Sequence, residues 1–408
     1  MFISRTNYCL VLLVTTVLLT GCATTPKYLD SQDQDSDQGF TRTVELSTSY
    51  EQTLINFKQQ ENTLLVNSSA NMQRQSASAE ESNLFLESFV RGDILNISVD
   101  GLEQFDGLYQ ITQQGTLELP YTNAIQVEGL TRAALTQKLK TELIELNWFY
   151  QDYINLDVSI VRLAPVNVSV TGAVFNPGVV SINDQPALKS IDPIQQRSGA
   201  FATQRNLVAA IQAAGGIRPD ADLKNVYIKR GPLIYRVALE NILSGNGFVN
   251  TPYLVHGDEI LVVSTDSENS DLVRPSQITP PGMRVLMSNL TAPALTNAQS
   301  AIGADATRLP YGASLLDSAI SANCIGGTHS ANASRSVVLI TRNHGSKMQL
   351  VVKRTINELL ANSSSEKINP FLMPNDGVAC YDSRFTNFRD VARGIGELVG
   401  PFILGGLL

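Results

Sequence analysis

Tryptophan occurs once, histidine three times and cysteine four times in 408 residues, and aromatic residues make up only 7%. What is scarce limits the chemistry. His256, His329 and His344 are scattered and no C-x-x-C occurs, so no spacing suits a metal ion. No nucleophile elbow, metal-binding signature or phosphate loop is present, and "AAGG" and "GPFILGG" are not dinucleotide fingerprints. The chain therefore reads as a non-enzyme without a cofactor. Basic charge is short as well: 30 Lys and Arg face 38 Asp and Glu, for a net charge of −8. That balance gives no footprint for nucleic acid.

What is there points to many short elements. Hydrophobic residues at 43% and charged residues at 17% suit a globular chain of about two to four domains. Twenty-eight Gly and 17 Pro with few aromatics indicate short strands and turns.

The first 22 residues, "MFISRTNYCLVLLVTTVLLTGC", carry Arg5, an apolar run from Cys9 to Leu19, and small residues before Cys22. This is the pattern of a signal peptide, with an apolar run too short to cross a bilayer comfortably. "LTGC" resembles the bacterial lipobox, which implies that residues 1–21 are removed and Cys22 is acylated. Ala23 at the next position, by resemblance to sorting rules in enteric bacteria, directs the lipoprotein to the outer membrane. With Cys9 removed and Cys22 acylated, Cys324 and Cys380 remain as an even pair in an oxidising compartment. They form a disulfide, or stay as two separate buried thiols.

Residues 22–83 are rich in Asp, Gln, Ser and Asn and read as a lipidated N-terminus and tether, with weak helical periodicity over 44–66. Folded sequence is expected from Leu84. A phrase then recurs: "RGDILNISV" (91–99), "HGDEILVV" (256–263) and "NDGVACYD" (375–382). In each, a turn with Gly and Asp leads into an alternating strand. Further similarities make 166–264 and 283–382 look like two copies of one α+β unit. In the first copy, Asn176-Pro177-Gly178 marks a turn between strands. The helix in "NLVAAIQAAGG" stops at Gly215-Gly216. The stretch 183–205 is a long interruption of the kind that is functional or mobile. In the preceding domain, 84–165, "TRAALTQKLKTELIEL" is an amphipathic helix with Thr131 as N-cap.

On these residues the chain resembles the Wza-type outer-membrane polysaccharide-export lipoproteins. The similarity lies in G-D-x-L-x-I-x-V (Gly92 to Val99), G-x-x-x-x-P (Gly115 to Pro120) and "VEGLT" (Val127 to Thr131). It continues in V-x-G-x-V-x-x-P-G (Val170 to Gly178) and the run ending at Gly216, which resemble the soluble-ligand-binding β-grasp (SLBB) repeat. The resemblance implies an α+β fold: a polysaccharide-export domain, two β-grasp-like repeats and a C-terminal amphipathic transmembrane helix at 384–408. It further implies a homo-oligomeric ring (an octamer in the family) in the periplasm, with capsular or exopolysaccharide as cargo. The implied partner is an inner-membrane co-polymerase, often a tyrosine autokinase.

The tail can be read on its own. On a helical wheel, Phe388, Val391, Ala392, Ile395, Leu398, Val399 and Phe402 share one face, while Arg389, Asp390, Arg393 and Glu397 share the other. Residues 384–408 would reach about 37 Å as a helix, enough for a hydrocarbon core of about 30 Å, with a kink at Pro401. A lone span would place its charges in lipid at about 2.5–3.5 kcal/mol each. A ring of such helices puts apolar faces toward lipid and lines a water-filled pore with Arg389, Asp390, Arg393 and Glu397. A terminal helix docked on its own domain and an interfacial helix are the competing readings. The corresponding alternative function is a periplasmic glycan-binding or scaffolding lipoprotein without a pore.

Overall fold

The computed structural model describes residues 29–30, 40, 42, 44, 48–59, 63–67, 84–148, 155–184, 205–244, 251–265, 267–289, 308–322, 324–325, 335–344 and 349–381. Cys22 and the tail 384–408 lie outside the described residues. Among the described residues, no helix is long and apolar enough to cross a membrane.

Before the first domain come β1 (Leu29–Asp30), α1 (Thr48–Gln59) and β2 (Thr63–Asn67). The first domain contains β3 (Ile94–Val99), β4 (Gly107–Gln110), β5 (Thr116–Leu117), β6 (Ile125–Gln126), α2 (Arg132–Glu145) and β7 (Leu156–Arg162). Leu95, Ile97 and Val99 alternate inward along β3, as a half-buried strand requires. They meet Leu135, Leu139 and Leu143, spaced four apart on α2, so that one helical stripe covers one sheet face. The sheet runs β4-β3-β7, with β5 and β6 as a separate hairpin. Thr131 caps α2, its hydroxyl accepting from the Ala134 N–H at 3.3 Å. The other end closes with Asn147 at φ +59. The Asn147 N–H donates to the Ile144 carbonyl and the Trp148 N–H to Leu143, the paired bonds of a Schellman motif.

The first repeated unit contains β8 (Val166–Gly172), β9 (Gly178–Ile182), α3 (Leu207–Ala213), β10 (Ala221–Arg230), β11 (Leu233–Ala238), α4 (Asn241–Ser244) and β12 (Glu259–Ser264). The second contains β13 (Met283–Arg284), β14 (Leu286–Asn289), β15 (Arg308–Leu309), α5 (Leu315–Ser321), β16 (Ser336–Arg342), β17 (Gln349–Thr355), α6 (Ile356–Ala361) and β18 (Gly377–Tyr381). The sheets are ordered β2-β11-β10-β12-β8-β9 and β1-β17-β16-β18-β14. In both, the last strand runs parallel to an early strand of the unit (β12 with β8, β18 with β14). In both, the central strand is antiparallel to its two neighbours. A short helix precedes the central strand and another follows the hairpin. The two units thus repeat one topology.

Gly172 explains part of a motif seen in the sequence. Its φ is +90, and a Cβ there would run into the Val262 carbonyl oxygen of the paired strand. The position needs glycine for both its backbone angle and the close approach.

Two boundaries differ from the sequence reading. Leu84, Val90 and Ala164 bury their side chains in the core of the first repeated unit, so that core reaches into the ends of the 84–165 domain. The stretch 22–83 is more than a tether. On α1, Tyr50, Leu54 and Phe57 share a face at helical spacing. They cover Tyr227, Ile234, Leu261 and Val263 on the outer face of the first unit's sheet. The Tyr50 hydroxyl accepts from the Ser264 N–H at 2.7 Å. β2 then adds parallel to β11 from Thr63↔Ile234 to Asn67↔Ala238, and β1 adds parallel to β17. The polar composition of 22–83 as a whole hides this short apolar face.

Candidate functional site

The recurring Asp turns organise the molecule. Asp93, Asp258 and Asp376 each follow a residue in the left-handed region: Gly92 (φ +88), Gly257 (φ +83) and Asn375 (φ +69). Each Asp carboxylate accepts a backbone N–H from three residues earlier, from Val90, Val255 and Met373 at 2.9, 2.9 and 2.8 Å. Each turn also lies against the start of a helix. The N–H groups of Phe89, Leu254 and Leu372 donate to the carbonyls of Leu130, Arg205 and Ala313. The first domain therefore shares this local device with both repeated units.

Each Asp is also held by an arginine, and the arginines come from different places. Arg205 lies 3.1 Å from Asp93 across 112 residues, with side-chain exposures of 2% and 0%. Arg230 meets Asp258 within the first unit at 2.7 Å. Arg42, from the N-terminal segment, reaches Asp376 in the second unit at 3.1 Å. Burial pushes Asp93 and Asp376 above the ordinary carboxylate value, and Arg205 and Arg42 oppose that rise. Thr341 adds a hydroxyl donor to Asp376 at 2.5 Å.

Beside Asp376 a cleft of about 530 Å3 opens between the two repeated units. The first unit contributes Val174, Phe175, Pro177 and Arg218. The second contributes Leu286, Met287, Ile340, Arg342, His344 and Asp376. Tyr311 fixes the adjoining contact: its hydroxyl donates to the Gly215 carbonyl at 2.5 Å, and its ring lies 6.3 Å from Phe175. Arg218 holds Asp220 through two bonds. Burial acts to raise the Asp220 carboxyl but is outweighed by Arg218, the Ser264 hydroxyl and His344, which together hold it below its ordinary value. The His344 Nε2 is 2.7 Å from a Glu268 carboxylate oxygen. Arg218 and His344 each face a carboxylate, while Leu286 and Ile340 are 52% and 38% exposed on strands β14 and β16. Such a surface suits ligand binding.

Cys324 and Cys380 are joined by a disulfide with a Cα–Cα distance of 6.0 Å, inside the core of the second unit. The other residues singled out in the sequence lie outside the described residues: Cys22, the pore-lining candidates Arg389, Asp390, Arg393 and Glu397, and the lipid-facing candidates Phe388, Val391, Ile395, Leu398, Val399 and Phe402. Among the described residues, no three His, Cys, Asp or Glu side chains cluster to hold a metal. Arg42, Arg205 and Arg230 were not legible as partners. The repeated Gly-Asp phrase was the available signal, since a buried turn carboxylate calls for a cation.

Residues 88–171 match the family of polysaccharide biosynthesis/export proteins. Two Escherichia coli proteins, each named polysialic acid transport protein KpsD, are 27% and 26% identical to the chain over 173 residues. The alignment covers 42% of this chain and 27% of each relative.

Proposed function

We propose that this chain, a polysaccharide export protein of the Wza and KpsD type, is the outer-membrane subunit of a ring-shaped channel carrying capsular or exopolysaccharide from the periplasm to the cell surface. The observation that carries this reading is the match of residues 88–171 to the polysaccharide-export family. The two repeated units behind that domain support it, because they supply further rigid layers for a stacked ring. The family is one of export proteins and not of enzymes.

In this proposal Cys22 is acylated and anchors the chain to the outer membrane from the periplasmic side. Residues 384–408 form one stave of a helical barrel that reaches the surface. The support is the sequence of the tail, where Arg389, Asp390, Arg393 and Glu397 fall on one side. Each stave then shields its charges only beside copies of itself. An inner-membrane co-polymerase would feed polymer from below.

Two measurements test the reading. Detergent-solubilised protein viewed by electron microscopy is expected to show rings with a membrane belt. Removal of residues 385–408 is expected to abolish export and the need for detergent. Continued export by the truncated protein would leave the glycan-binding lipoprotein without a pore as the better account.

A further inference from the structure

Away from the cleft, the first domain exposes two aromatic rings side by side. Tyr121 is 72% exposed and Trp148, the single tryptophan, 37%. Their centroids are 5.6 Å apart with the planes tilted by 41°. Both stand edge-on to the buried ring of Phe105, at 6.5 and 5.3 Å, which fixes their orientation from below.

Independent backbone devices bring them together. Trp148 is delivered by the Schellman closure of α2. Tyr121 follows Pro120 in a turn closed by the Thr122 N–H to the Leu119 carbonyl and has φ +60. Proline before a left-handed residue is the pattern of a type II turn, whose third position favours glycine or asparagine. A bulky ring there is locally unfavourable, and most of that ring faces water. Folding alone does not account for the residue.

Among the exposed chain neighbours of the three rings, Glu103, Gln104, Asn123 and Asn147 are polar and Leu146 is apolar. A lipid surface or an amphipathic helix would require a broader apolar patch. A pyranose ring fits better. Its C–H face rests on an aromatic face, and its hydroxyls at the edge meet amide and carboxylate groups. We infer that Tyr121 and Trp148 form a stacking platform for sugar rings of a glycan. The inference rests on the export reading, since both residues lie within the matched segment 88–171.

The lone tryptophan makes the test direct. Oligosaccharides released from the surface polysaccharide of the producing cell are titrated against full-length protein in detergent, and Trp148 emission is followed. A saturable shift is expected. Tyr121→Gly, which suits the left-handed backbone and so preserves the fold, is expected to weaken binding about tenfold, the loss of one aromatic stacking contact. Emission that ignores the oligosaccharides, or equal binding by Tyr121→Gly, would overturn the platform while the export reading stands. Deletion of the gene with surface polysaccharide unchanged would overturn the export reading itself.

Discussion

The Arg205 guanidinium lies 3.1 Å from the Asp93 carboxylate, and both side chains are buried. This pair joins the start of α3 in the first repeated unit to the Gly-Asp turn of the preceding domain. Asp93 also accepts the Ala164 N–H at 2.7 Å, where the chain passes from one to the other. One carboxylate thus ties the turn, the crossing strand and the next helix together.

Arg205→Ala should destabilise the fold by about 3–5 kcal/mol, because it leaves a buried charge without its partner. Urea denaturation checks this. The deficit should be smaller in acid than at neutral pH. Burial already raises Asp93, with Arg205 opposing; without Arg205 the carboxyl rises further, and the neutral form favoured in the fold is reached sooner on acidification.

Asp220 should act in the opposite direction. Its folded value is lowered, because Arg218, the Ser264 hydroxyl and His344 outweigh burial. Its contribution is therefore fully present above the ordinary carboxylate value of 3.8 and is lost as pH falls through the lower folded value. Thermal midpoints measured as pH falls below about 4 should decline for the natural protein. Asp220→Asn should decline less over that range while being less stable at neutral pH.

Gly172→Ala is expected to cost more than about 3 kcal/mol, combining a left-handed backbone angle with a backbone collision. Calorimetry should show a lower midpoint. The same change at Gly101, also left-handed at φ +83 but with open space around a Cβ, should cost only about 1–2 kcal/mol.

Reduction of Cys324–Cys380, which closes a loop with a sequence separation of 56, should remove about 4 kcal/mol on the chain-entropy model. Denaturation with and without reductant, compared with a Cys324→Ala and Cys380→Ala double variant, measures it.

Legibility in the sequence followed distance along the chain. The Thr131 cap, the Asn176-Pro177-Gly178 turn between β8 and β9, and the stop after α3 were readable, since each depends on neighbours within a few residues. The duplicated unit was readable because its turns repeat in words as well as in space. The arginine partners were not, because no local rule connects Arg42 to a carboxylate 334 residues away. Docking of α1 was obscured differently: Tyr50, Leu54 and Phe57 are a narrow face within a polar stretch, and only the complementary patch around Tyr227 and Leu261 gives them meaning. Tyr121 was legible as a letter but not as an exposed, left-handed one, since φ follows from the closed turn.

The edge additions of β1 and β2 and the reach of Arg42 impose an order on assembly. These early residues are synthesised first, yet the partners of β1 and Arg42 lie beyond residue 340, while β2 pairs with β11 in the first unit. Arg42 finds Thr341 and Asp376 at separations of 299 and 334 residues. Contacts this remote close large loops and form slowly. β1 and Arg42 stay unpaired until the second unit emerges, so a chain interrupted before β17 would lack the partner strand of β1, and one interrupted before Asp376 would leave Arg42 without its carboxylate. The last residues to arrive thereby complete the contacts of the first.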